Sequence, residues 1–305
     1  MHYIIYNPTA QSAGKDNTLA IIRHVFSSEG VDCRFCATEY PGHAEVLAAE
    51  ISESDPEAVI VAVGGDGSIH EIINGLKNLD TVTLAVVPHG SGNDFAKGMG
   101  ISSDPLQASL AAASPGKIRH LDIGVLSYGG RRERFCVSCG IGFDAAVCHE
   151  ALDSPIKDFL NSVGAGQLSY TMIAGKQIAL YKAGDVKVRV DGDKSYRFPK
   201  TYFVAVMNQK YEGGGVMMTP EALPDDGKLD VFVCAGIPKA VLVGALPLAR
   251  YGAHTRFRGL HFIRAEMVEI RADRERPVHM DGESGGLADS LTVGLEPVKL
   301  KVITE

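Results

Sequence analysis

The feature that most constrains this chain is an unbroken apolar run, Ala58-Val59-Ile60-Val61-Ala62-Val63, that ends on Gly64-Gly65. A strand with no polar residue needs cover on both faces, and a parallel sheet flanked by helices provides it. Thr83–Val87 is a second such run, and Ser68–Leu79 between them carries Ile69, Ile72, Ile73 and Leu76 at helical spacing. Upstream, Tyr3–Tyr6 and Val31–Thr38 read as strands, while Asn17–Glu29 and Glu45–Glu53 read as helices. Asn93–Met99 opens another helix. This β-α-β-α order implies a parallel α/β domain.

The texture changes after Lys117. Strand-like segments cluster at Leu121–Leu126, Phe135–Ile141, Asp185–Val190, Tyr202–Met207, Leu229–Cys234, Phe262–Arg271 and Leu291–Ile303. Helical stretches at Ile156–Tyr181 and Lys239–Tyr251 interrupt them. Runs of strands imply a mainly antiparallel β domain. The 305 residues also exceed what one core of roughly 250–300 residues holds. Residues 1–125 are therefore expected as the α/β domain and 126–290 as the β-rich one, with 291–305 a candidate to return to the first.

The chain is 45% hydrophobic with a formal charge of −7, which excludes a mainly disordered chain and argues against a general nucleic-acid binder. One local concentration of cations runs from Arg250 to Arg276 and includes Arg256, Arg258, Arg264, Arg271 and Arg274. Glu266, Glu269, Asp273 and Glu275 interleave, so a salt-bridged face and an anion-facing surface both fit. The N-terminus lacks a signal-peptide pattern. Val231–Ala249, the most apolar stretch, is interrupted by Pro238, Lys239 and Pro247, and its uninterrupted pieces are too short to span a bilayer. A cytoplasmic protein is expected. Two C-x-x-C pairs, Cys33/Cys36 and Cys136/Cys139, sit in strand-like segments with no Gly or Pro between the cysteines. Positions i and i+3 of a strand face opposite ways, so buried thiols are expected rather than zinc.

Chemistry concentrates where strands give way to helices. Val63-Gly64-Gly65-Asp66-Gly67-Ser68-Ile69-His70-Glu71 follows the buried strand and opens a helix. Glycines let the backbone approach a ligand, and the N–H groups at a helix N-terminus favour an anion. Ser68 is expected to cap that helix, with Glu71 as its capping-box partner. Asp66 fits no plain turn; a carboxylate in a phosphate-attracting loop suggests a metal between the two. Val87-Pro88-His89-Gly90-Ser91-Gly92-Asn93-Asp94-Phe95 repeats the design, and the first strand ends in Tyr6-Asn7-Pro8-Thr9-Ala10. Three such loops should converge on one sheet edge, where α/β proteins bind ligands. Neither G-x-x-x-x-G-K-[ST] nor a dinucleotide G-x-G-x-x-G occurs in the right context.

These residues resemble the diacylglycerol kinase catalytic-domain family, and within it the soluble bacterial lipid kinases. Gly64-Gly65-Asp66-Gly67-Ser68 is similar to the family's GGDGT loop, and Pro88 to Ala96 to its P-x-G-T-x-N-D-F-A loop, with Ser for Thr in both. Tyr6-Asn7-Pro8 resembles its opening N-P segment, with Ala10-Gln11 in place of Ser-Gly, and Thr38 matches a nucleotide-touching threonine. Further similar segments are Asp122-Ile123-Gly124, Asp225-Asp226-Gly227-Lys228-Leu229-Asp230 and Asp281-Gly282-Glu283.

The resemblance implies an NAD kinase- or phosphofructokinase-like α/β domain, a mainly antiparallel β domain, and ATP and acceptor lipid in the cleft between. It implies ATP contacts from Asn7, Pro8, Thr9, Thr38, Gly64, Gly65, Asp66, Gly67, Ser68, Ile69, His70, Ser91 and Asn93. Catalytic Mg²⁺ would sit with Asp66, Asp94 and Asp122, although turn capping also explains the last two. A structural Mg²⁺ would take the Asp226 carboxylate and the carbonyls of Leu223 and Lys228, where a plain turn is the other reading. Asp281 and Glu283 are both chemically credible as the base, and Asp281-Gly282 also reads as a hairpin tip.

The activity so implied is phosphoryl transfer from ATP to a lipid hydroxyl, diacylglycerol or a related lipid, with transient contact to a membrane surface. A soluble-substrate kinase related to NAD kinase and a non-catalytic nucleotide or lipid sensor are the other readings. No nucleic-acid partner is expected, and a homodimer is the base-rate expectation.

Overall fold

The computed structural model describes residues 1–8, 17–146 and 180–304. In chain order the elements are β1 (His2–Tyr6), α1 (Thr18–Ser28), β2 (Cys33–Ala37), α2 (His43–Ser54), β3 (Val59–Gly64), α3 (Asp66–Gly75), β4 (Thr83–Pro88), α4 (Asp94–Met99), α5 (Pro105–Ala113), β5 (Lys117–Leu121), β6 (Gly124–Tyr128), β7 (Arg131–Phe135), β8 (Ser138–Gly142), β9 (Gly184–Val190), β10 (Lys194–Met207), β11 (Tyr211–Glu212), β12 (Val216–Met217), β13 (Leu229–Ala235), α6 (Lys239–Ala249), β14 (Leu260–Ala265), β15 (Val268–Met280), β16 (Glu283–Leu295) and β17 (Leu300–Thr304). They divide into two compact units, residues 1–123 with 296–305 and residues 124–295.

The first unit is a six-stranded sheet in the order β2-β1-β3-β4-β17-β5. β1 to β4 run parallel, β17 joins β4 in parallel, and β5 closes the edge antiparallel to β17. On one side Ile4, Val61, Val63, Ala85 and Val87 pack with Ile22, Val25 and Phe26 of α1 and Ala108 and Ala112 of α5. The apolar runs of β3 and β4 are buried along most of their length, as continuous hydrophobicity requires. The returning strand is narrower than expected, because Leu291–Leu295 belongs to β16 of the second unit and only Leu300–Thr304 enters this sheet.

The second unit is antiparallel. Its strand path is β14-β13-β10-β8-β15-β16-β6-β7. β8 and β9 each pair with both β10 and β15, giving a closed ring of pairings. Val188, Val204, Val231, Ile270, Val278 and Val293 fill its interior. Several expected strands are split by turns: 121–126 at Asp122-Ile123, 135–141 at Cys136-Val137 and 262–271 at Glu266-Met267. At each split the two halves take different partners: β5 pairs with β17 but β6 with β16 and β7, β7 pairs with β6 but β8 with β10 and β15, and β14 pairs with β13 but β15 with β16. The helical expectation at 156–181 lies, except for its last two residues, outside the described residues. Among the described residues no helix is long and apolar enough to cross a membrane.

Candidate active site

In the N-terminal unit the strand register sets the site. Tyr6 lies opposite Ala37 and Val63, and Gly64 opposite Pro88. Asn7, Thr38, Gly64 and Pro88 therefore end their strands flush along the carboxyl edge, and the Thr38 amide donates to the Tyr6 carbonyl at 2.9 Å. Asn7 and Pro8 are exposed there; Thr9 lies outside the described residues.

The two glycine loops meet backbone to backbone. A Cβ on Gly90 would stand 2.5 Å from the Gly65 Cα and 2.9 Å from Asn93 Oδ1, so glycine is required. The His89 amide donates to the Gly64 carbonyl at 2.8 Å. Asn93, with φ of 54°, closes its own loop: Oδ1 accepts from the Gly90 amide at 2.9 Å and Nδ2 donates to the Gly90 carbonyl at 2.8 Å. Ser91 is exposed on this loop.

Asp66 supplies the third tie. Its carboxylate accepts the amides of Asp94 at 3.1 Å and Phe95 at 2.9 Å, which caps α4. The carboxylate that fitted no plain turn is thus accounted for by the neighbouring loop. Two local expectations change with it. Helix α3 begins at Asp66 behind an extended Gly65 with no side-chain cap, so Ser68 lies inside the helix rather than at its start. Glu71 instead accepts the amides of Gly42 at 3.0 Å and Ala44 at 3.2 Å, serving the start of α2. His70 is buried, with Nε2 3.4 Å from Asn74 Nδ2.

The three acids expected around catalytic Mg²⁺ are not gathered. Asp66 and Asp94 share the carboxyl edge, and Asp94 Oδ1 is 3.8 Å from Lys97 Nζ. Leu121 pairs with Leu300 and Lys301 with Thr83, which sets Asp122 at the amino end of β4. At about 3.3 Å per residue that is about 20 Å along the strand from Pro88. There Asp122 Oδ1 is 3.0 Å from Lys299 Nζ. The antiparallel entry of β5 causes this, since it reverses the edge at which a strand ends. Among the described residues no three His, Cys, Asp or Glu side chains stand as a metal cage. Asp66 and Asp94 do present the hard oxygens that suit Mg²⁺ arriving with nucleotide phosphates, a use that needs no protein cage.

The structural Mg²⁺ implied at Leu223, Asp226 and Lys228 does not fit. Asp226 Oδ2 is bonded by the Arg264 guanidinium, and Oδ1 accepts the Lys228 amide at 3.1 Å. Cross-strand pairing of Arg264 with Asp230 aims the guanidinium at this turn. Arg264 Nε lies 3.4 Å from Asp230 Oδ1, and Lys228 Nζ holds Glu266 at 2.6 Å. Burial raises the Asp230 carboxyl to about 6 against the opposing pull of Arg264. Two cations already serve the turn.

In the C-terminal unit Asp281-Gly282 forms the two-residue tip between β15 and β16. Both residues have positive φ, 47° and 87°, as a tight hairpin of this kind demands. The Asp281 carboxylate is buried and accepts the amides of Cys136, Val137 and Ser138, the nearest at 2.8 Å. Its own amide donates to the Ser138 carbonyl at 2.8 Å. Glu283, opposite Met280 on β16, is half-buried. The two carboxylates thus divide: Asp281 is locked into the β7–β8 turn, and Glu283 keeps access to solvent.

Beside this hairpin lies a cluster that sequence reasoning missed. His279 is fully buried, with Nε2 3.2 Å from Glu212 and 3.4 Å from Asp144. Burial alone would lower its pKa, but the carboxylates of Glu212, Asp144 and Asp281 outweigh burial and raise it to about 9. Gly140 makes room, since a Cβ there would stand 2.5 Å from Asp144 Oδ2 and 2.6 Å from His279 Nε2. The available signal was His279 two residues before Asp281, within the short stretch Pro277-Val278-His279-Met280 that follows a run of charges.

The arginine segment is not one surface. Arg276 is buried, donating to the Thr201 carbonyl at 3.1 Å and to Asp273 at 2.6 Å. Arg264 serves the Asp226 turn, and Arg274 holds Asp273 and the Lys182 carbonyl. No disulfide joins the described cysteines. Burial pushes the Cys139 thiol well above its usual range and that of Cys234 to about 12.

Comparison with known proteins matches residues 2–126 to the family described as "Diacylglycerol kinase catalytic domain" and residues 137–304 to "YegS C-terminal NAD kinase beta sandwich-like domain". YtlR of Bacillus subtilis, provisionally named a lipid kinase, is 29% identical over 308 residues, covering 98% of each chain. The diacylglycerol kinase of the same organism is 27% identical, covering 96% of this chain and 92% of that one. Among solved structures, a diacylglycerol kinase from Bacillus anthracis superposes with a TM-score of 0.74 at 22% identity, covering 100% of this chain and 96% of that one. An NAD kinase from Archaeoglobus fulgidus in complex with ATP gives 0.56 at 14% identity, covering 100% and 94%. These two likenesses show the fold.

Proposed function

The chain belongs to the family that joins a diacylglycerol kinase catalytic domain to a YegS-type C-terminal domain, and on that premise we propose that it transfers the γ-phosphoryl group of ATP, with Mg²⁺, to the hydroxyl of a diacylglycerol-like lipid. The observation that carries this reading is the flush edge of Asn7, Thr38, Gly64 and Pro88, with two glycine loops in backbone contact upon it. Phosphoryl transfer needs positioning and charge neutralisation more than covalent chemistry. The amides from Gly64 to Ser68 at the start of α3 cradle the phosphates, whereas that of Ile69 already donates to the Gly65 carbonyl at 3.2 Å. Asn7, Pro8, Thr9, Thr38, Ser91 and Asn93 add contacts to the nucleotide. Mg²⁺, held beside Asp66 and Asp94, neutralises phosphate charge when bound.

Glu283 takes the proton of the acceptor hydroxyl as its oxygen attacks the γ-phosphorus and ADP leaves. Asp281 is the poorer base because three amides already occupy its carboxylate. Its part is to fix the hairpin that presents Glu283.

The test offers γ-labelled ATP with diacylglycerol in detergent micelles. Label should enter the lipid, and Glu283→Gln should lower kcat by about 10²–10⁴-fold. Asp66→Ala should abolish transfer. Label passing to NAD and not to lipid would refute the acceptor class; an undiminished rate in Glu283→Gln would refute the assignment of the base.

A further inference from the structure

We propose that the solvent face of β9, β10 and β15 docks on the anionic headgroups of a phospholipid bilayer. Strand β9 alternates cleanly: Val186, Val188 and Val190 are buried, while Lys187 and Arg189 are exposed. The register sets Arg197 of β10 opposite Lys187 on one side and Arg271 of β15 opposite it on the other. Residues directly opposite in antiparallel strands share a face, with Cβ atoms about 4.5–5.5 Å apart. Three exposed cations therefore form one row across three strands. Like charges so placed destabilise a sheet. An acid at position 187 would pair with both neighbours, yet lysine stands there, and none of the three makes an ion pair among the described residues.

The adjoining row holds Ser195, Arg189 and Glu269, with Arg189 bonded to Glu269. Lys187, Arg189, Glu269 and Arg271 line a shallow depression of about 210 Å³. On these two rows four cations face one acid, in a chain whose net charge is −7. Guanidinium forks suit phosphate oxygens, and such basic patches are drawn to anionic leaflets. Nothing aromatic stands at the six positions to stack a nucleic-acid base. The surface differs from the arginine segment singled out in the sequence, of which only Arg271 belongs to it.

This proposal rests on the reading of a lipid acceptor, since a bilayer is where such a substrate resides. Its test is separate, because it needs no ATP. The full chain is sedimented with vesicles of phosphatidylcholine alone or mixed with phosphatidylglycerol. Binding should require phosphatidylglycerol and fade as salt shortens the Debye length from about 10 Å at 0.1 M to about 3 Å at 1 M. The double variant Lys187→Gln/Arg271→Gln should bind about 30-fold more weakly, at about fivefold per cation. Its phosphorylation of acceptor in micelles should be unchanged. Lys187→Gln alone should melt at or above the wild-type temperature, because repulsion is relieved. Undiminished vesicle binding by the double variant overturns the proposal, as does equal wild-type binding to neutral vesicles. Retention of RNA or DNA without vesicle binding overturns it in favour of a nucleic-acid face. If micelle activity is absent in wild type while vesicle binding behaves as stated, the reaction fails and the docking surface stands.

Discussion

His279 ties the stability of the C-terminal unit to pH in a direction opposite to that of an ordinary buried histidine. Its pKa is about 9 when folded and about 6.5 in a solvated chain. A group whose pKa rises on folding contributes fully below the unfolded value and loses that contribution as pH climbs through the folded one. The difference of about 2.5 units amounts to roughly 3 kcal/mol at 1.36 kcal/mol per unit. For a unit of this size each kcal/mol moves Tm by about 2–4 °C, so the loss between pH 6.5 and 9.5 is about 6–12 °C. Other groups act in the same sense at the upper end. The thiols of Cys139 and Cys234, raised by burial, resist ionisation when folded and ionise freely when unfolded. The measurement is therefore a difference: calorimetric Tm against pH for wild type and for His279→Gln. The variant should start lower, because Glu212 and Asp144 lose their shared cation, and its curve should be flatter between pH 6.5 and 9. Parallel curves would refute the reasoning, for they would mean that His279 does not hold its proton through the pair of carboxylates.

Three further perturbations follow from contacts already described. Gly90→Ala should cost activity and stability together, by roughly 1–3 kcal/mol for overpacking, since its Cβ meets the Gly65 backbone at 2.5 Å; an unchanged Tm in thermal unfolding would show that the loops are not in contact. Removing divalent ions with EDTA, in the absence of nucleotide, should leave the wild-type Tm unmoved, because Arg264 serves Asp226 where a metal was implied. A fall that disappears in Asp226→Asn would restore the metal. Asp281→Asn should lower Tm as well as kcat, whereas Glu283→Gln should spare Tm; equal melting of both variants would undo the division between the two carboxylates.

Much of this was legible in the sequence because burial leaves a one-dimensional trace. The runs at Ala58–Val63 and Thr83–Val87 announced parallel strands, and the glycine loops after them announced the edge where they meet. What the sequence hid was partnership across distance. Ser68 and Glu71 make a plausible capping box by spacing, yet the glutamate serves helix α2, two elements upstream. Asp122 stands among acidic positions in the chain but at the wrong end of the sheet, because direction of entry is invisible in a five-residue strand. Asp226 looked like a cation ligand until its turn was seen beneath Arg264, thirty-eight residues away. His279, Glu212 and Asp144 come from three separate elements, and no local periodicity joins them.

The return of β17 has a consequence in time. It lies between β4 and β5, so the six-stranded sheet keeps an open seam until Leu300–Thr304 arrives. During synthesis the whole second unit is made first. The half that appears earliest on the ribosome is thus the last to be finished, and β4 waits with an unpaired apolar edge. A chain released a few residues short would lose strand pairing in its first domain, far in sequence from the cut, while every strand of the second domain is already present.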